Sequence, residues 1–107
     1  MNDLPIACSL SKADLAERRV VLAALQVHCV EVRPLADTRG LALRFTPAAG
    51  ILATLARVID LERQCCRFLD IDLAVAAADG PITLTLAGPA GTTDFLVHEL
   101  GVMPTAA

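Results

Sequence analysis

Two adjacent cysteines, Cys65 and Cys66, close a segment in which apolar residues recur at helical spacing, with Glu62 just ahead of them. Ile51, Val58 and Cys65 fall in one heptad file and Leu52, Ile59 and Cys66 in the neighbouring one. Glu62, seven residues after Leu55, lies between the two files. The inward stripe of a helix therefore ends in a carboxylate and two thiols, while Arg57, Asp60, Gln64 and Arg67 turn towards the solvated side. That donor set suits a soft metal ion or a reactive thiol.

Each of these residues also has a plain reading. Free cysteine is among the most often buried residue types, so Cys65 and Cys66 can serve as small core hydrophobes. Glu62 is harder to place that way, because a carboxylate is seldom fully buried without a partner; Arg63 or Arg67 at the helix end would supply one. A good soft-metal site needs a third thiol. Cys29 shares strand parity with Glu31 and Arg33 and is expected on the outer face of a sheet, apart from the pair. Cys8 sits in an extended lead-in that can lie across the end of the helix, and it is the favoured third ligand. The expected site is Cys8, Cys65 and Cys66 with Glu62 assisting, for an ion such as Hg(II), Cu(I), As(III) or Zn(II). Hard cations are poor candidates, and the cysteine spacings of a zinc finger are absent. A metal-free thiolate is disfavoured, since the negative end of a helix dipole raises a thiol's pKa, with Arg63 and Arg67 as a partial offset.

The elements that must position these residues read clearly. Ser11-Lys12-Ala13-Asp14 resembles a capping box, and Leu15, Leu22 and Leu25 give a first helix running to about Gln26. Val30 and Val32, a turn at Asp37-Thr38-Arg39-Gly40, and Leu41, Leu43 and Phe45 predict a hairpin, with Val30 inward and His28 sharing its parity. Thr46-Pro47 predicts an N-cap and a first helical position for a second helix ending near Cys66 or Arg67. Leu69, Ile71, Leu73 and Val75, then Asp79-Gly80, then Ile82, Leu84 and Leu86 predict a second hairpin, with Asp70 and Asp72 outward as solvated charges. A short last helix carries Phe95, Leu96 and Leu100, followed by a loose tail over 101–107. The segment Gly40–Gly50 echoes Gly80–Gly91. Together these predict one α+β domain over 1–107, in the order αββαββα, with a four-stranded, mostly antiparallel sheet covered by helices on one face.

Composition bounds the function. The chain has 107 residues with 55% hydrophobic content, ample for one packed core without staples. No uninterrupted apolar run is long enough to cross a bilayer. A formal charge of −3 and the absence of Trp and Tyr argue against nucleic-acid partners. Ahead of Cys8 there is neither a basic n-region nor an apolar h-region, so a cytoplasmic chain with all four cysteines reduced is expected. No Ser-His-Asp set, phosphate-binding glycine loop or paired catalytic carboxylates can be assembled, and His28 and His98 read as structural or solvated. The leading expectation is a non-enzymatic scavenger or transfer protein for a soft metal or metalloid. A self-associating, homo-oligomeric interaction module with buried cysteines comes second, and a thiol-dependent enzyme third.

Cys8-Ser9-Leu10 ahead of a charged helix, the stretch Glu62-Arg63-Gln64-Cys65-Cys66-Arg67-Phe68-Leu69, and Gly88-Pro89-Ala90-Gly91-Thr92 resemble a small uncharacterised bacterial family. That family is loosely associated with heavy-metal resistance neighbourhoods, mercury especially. Its specific motif is the Glu-Arg-x-Cys-Cys-x-Phe-Leu core, and its members commonly carry proline where this chain has Arg67. The resemblance implies a cytoplasmic thiol-based role towards a metal or metalloid.

Overall fold

The computed structural model describes residues 12–105. The lead-in over 1–10 and the Ser11 cap lie outside the described residues. Helix α1 spans Lys12–Gln26, strand β1 Cys29–Pro34 and strand β2 Gly40–Phe45, with a 3-10 turn at Ala36–Thr38 between the strands. Helix α2 spans Ile51–Cys65, strands β3 and β4 span Asp70–Val75 and Ile82–Ala87, and helix α3 spans Thr92–Leu100. The expected αββαββα order and α+β architecture are therefore present.

The four strands form one antiparallel sheet in the order β1-β2-β4-β3. Period-two alternation sets its two faces. Leu41, Leu43 and Phe45 pair with Leu86, Leu84 and Ile82 and are all buried, making the floor of the core. The alternate positions pair Ala42 with Thr85 and Arg44 with Thr83 on the face away from the core. Leu22 and Leu25 of α1, Ile51, Leu55 and Val58 of α2, and Leu96 and Leu100 of α3 cover the floor. Asp70 and Asp72 are exposed on the outer face, as their parity predicts.

Three local expectations are corrected. The first concerns β1, where a bulge interrupts the register between Cys29 and Glu31. One extra residue reverses parity, so Cys29 pairs with Phe45 and packs against the core while Val30 is turned out at 53% exposure. The second concerns the start of α2. Thr46 and Pro47 do not open it; the backbone N–H of Thr46 donates to the His28 carbonyl, and the N-cap is Gly50 in the left-handed region at φ 79°. Helix α3 starts the same way from Gly91 at φ 98°, so the echo between the two halves extends to how each helix begins. The third concerns the tail. Residues 101–105 hold no helix or strand, but the Thr105 N–H donates to the Val32 carbonyl at 2.7 Å and the Val32 N–H to the Thr105 hydroxyl at 2.8 Å. This segment is tied to the free edge of β1 rather than loose.

Candidate metal centre

Of the two heptad files of α2, that of Ile51, Val58 and Cys65 is buried as its spacing predicts. In the neighbouring file Leu52 is exposed at 44% and Ile59 half-buried, because the helix packs on the side of Leu55 and Glu62. Ile51, Leu55, Val58, Leu61, Glu62 and Cys65 are all buried, and Cys66 follows as the buried C-cap. The Cys66 N–H donates to the Glu62 carbonyl at 2.7 Å, so the last helical turn carries directly into the second cysteine. The Leu69 N–H then donates to the Cys66 carbonyl at 3.0 Å, and Phe68 meets Phe95 of α3 edge to face with centroids 5.3 Å apart. This short aromatic-backed turn fixes where the helix stops and where β3 begins.

Glu62, Cys65 and Cys66 form a buried group whose ligand atoms lie within 4.8 Å of one another, and such a group can hold a metal ion. Two sulfurs bound at about 2.3 Å to one zinc-sized ion can be no more than about 4.6 Å apart, so this spacing needs little adjustment for both to reach an ion. Cys8, the expected third thiol, lies outside the described residues. Cys65 is disulfide-bonded, while Cys29 and Cys66 are free thiols. The expectation that all four cysteines stay reduced thus fails at Cys65, and thiolate chemistry there requires prior reduction.

The partner of Glu62 is neither Arg63 nor Arg67. It is Arg18 of α1, whose guanidinium forks both carboxylate oxygens: Nε donates to Oε2 at 2.5 Å and Nη2 donates to Oε1 at 3.0 Å. The third nitrogen, Nη1, reaches Oε2 of Glu99 on α3 at 3.5 Å. Side chains from all three helices therefore meet here, and the Arg18 and Glu62 side chains are only 5% and 1% exposed. Among the described residues no buried side-chain nitrogen or oxygen lacks a hydrogen-bond partner. Arg18 had a legible signal, since Leu15, Arg18, Leu22 and Leu25 follow the three-four spacing of an inward stripe with one cation inside it. One misplaced cation on α1 and one misplaced anion on α2 are each other's explanation.

Burial is the main cause that pushes the Cys66 thiol up to about 12, with the Glu62 charge adding to it, Arg18 opposing it and Glu99 adding a smaller share. At neutral pH the Cys66 thiol is thus protonated and weakly nucleophilic. For Arg18, burial acts to lower the pKa, but the hydrogen bond and charge of Glu62 outweigh it and hold the guanidinium above its ordinary value. Cys29 is raised by partial burial, against a weaker opposing effect of its hydrogen bond to the Glu31 carbonyl.

An open cleft of about 720 Å³ lies at the opposite end of α2, lined by Pro47, Leu52, Val75, Asp79 and Ile82 among others. None of the described cysteines borders it. No helix among the described residues is long and apolar enough to cross a membrane. No family model, curated protein or solved structure matches the chain. The class defined here, a two-layer α+β protein with a buried Glu–Cys–Cys group between its helices, stands on geometry.

Proposed function

We propose that this protein binds a soft metal or metalloid ion at the C-terminal end of α2, through Cys65 and Cys66, and acts as a scavenger or transfer partner. The observation that carries the reading is the buried convergence of Glu62, Cys65 and Cys66. Loading begins with reduction of the Cys65 disulfide: two electrons and two protons from a dithiol cleave the sulfur–sulfur bond and leave two thiols. The ion then displaces the thiol protons and binds the thiolates. The same requirement fits a reducing compartment such as the cytoplasm, and the heavy-metal association of the resembling family agrees with the choice of ion.

Elemental analysis with thiol titration tests the reading. Protein reduced anaerobically and offered Cu(I) or Hg(II) should retain one equivalent per chain and lose two reactive thiols on loading. Protein loaded without reduction should retain far less. A reduced protein that keeps no thiophilic ion would refute the proposal and leave the cysteines as core residues.

A further inference from the structure

We infer, on the reading that the end of α2 is a soft-metal site, that Arg18 withholds Glu62 from the ion, so that the cargo is held by sulfur alone. The site is then restricted to ions content with sulfur donors, and Zn(II), which would otherwise draw on the carboxylate as a further ligand, is disfavoured.

The carboxylate is spoken for on both oxygens. Arg18 Nε and Nη2 engage Oε2 and Oε1 at 2.5 and 3.0 Å, the bidentate geometry that a guanidinium makes best. Glu99 holds the same guanidinium from a third helix. With both side chains buried, breaking the pair would leave a buried arginine without its carboxylate, which is strongly unfavourable. Recruiting Glu62 to an ion means breaking this pair. Leaving it intact gives the ion two thiolates among the described residues.

Zinc ordinarily takes four ligands, whereas Cu(I) is selected by soft sulfur donors themselves. Arg18 is accordingly a positioning residue that acts through Glu62 on ion choice.

X-ray absorption and competitive titration of the reduced full chain test this, with Cu(I) and Zn(II) each supplied alone. The copper-loaded protein should show sulfur as the sole nearest neighbour. Glu62→Gln should bind Cu(I) within roughly threefold of the unsubstituted protein, whereas a residue that ligates or orients an ion typically costs about 10- to 100-fold. Arg18→Lys keeps the charge but offers a single point donor; it should release one carboxylate oxygen and tighten Zn(II) binding about tenfold with Cu(I) little changed. Oxygen in the copper shell, or a loss of Cu(I) binding in Glu62→Gln, overturns this inference while the metal site stands. Failure of the reduced, unsubstituted protein to bind either ion overturns the site itself. Should Arg18→Lys not fold, the absorption spectrum and the Glu62→Gln titration still decide.

Discussion

At the scale of single residues, the fold strongly alters Cys66. Its thiol is pushed from the ordinary 9.0 to about 12, chiefly by burial. A group whose folded-state pKa lies above its unfolded value holds its proton longer when folded, so its contribution to stability is complete below the unfolded pKa and is lost as pH rises. Denaturant midpoints of the metal-free protein should therefore fall between pH 9 and about pH 12. Cys66→Ala should flatten that alkaline slope, and an unaltered slope would mean that the thiol titrates normally. Cys29 shows how a single residue can escape a sequence reading. Its parity with Glu31 and Arg33 is correct as counted, but the bulge beside it adds one residue and turns it to the core side. Bulges leave little mark in a sequence without glycine at the site.

At the scale of elements, strong alternation and strong helical spacing were legible, while starts and polar partners were less so. Leu41, Leu43 and Phe45 with Ile82, Leu84 and Leu86 announce the central strands because the two faces differ sharply in polarity. The beginning of α2 did not, because Thr46 is drawn into a backbone hydrogen bond with His28 and Gly50 takes the cap. Most of the candidate site was legible, since the stripe of α2 places Glu62, Cys65 and Cys66 inward wherever the helix packs. Arg18 is not legible as the partner because it stands 44 residues from Glu62 on another helix, a pairing that local spacing does not reveal. The pairing across α1 and α2 makes a sharp prediction. Arg18→Met leaves Glu62 buried and unpaired and should destabilise the metal-free fold by about 3–5 kcal/mol, whereas joining it with Glu62→Leu should recover most of the loss. Chemical denaturation of the two single variants and the double variant measures this, and additive losses would show that the pair carries no coupling.

At the scale of the whole molecule, the fold consists of two similar halves and two additions. β1, β2 and α2 match β3, β4 and α3 in order, in strand pairing about the β2–β4 centre and in the glycine that precedes each helix. Leu55 and Leu96 occupy the same place in the two helices and are both fully buried. Helix α2 has 15 residues against 9 in α3, and its extra turns have no counterpart in the second half. Glu62 and Cys65 lie in those extra turns, Cys66 caps them, and Arg18 comes from α1, which also has no counterpart. The candidate site is thus built where the symmetry of the scaffold is broken, and the repeated halves supply the floor beneath it. The central claim is that this asymmetric corner binds a soft ion through its paired cysteines. Anaerobic Cu(I) competition against a chromophoric chelator, run on the reduced protein and its single serine variants, tests it most directly. The expected result is one tightly held equivalent per chain, lost for the most part in Cys65→Ser and Cys66→Ser and kept in Cys29→Ser; equal binding by all three variants would contradict it.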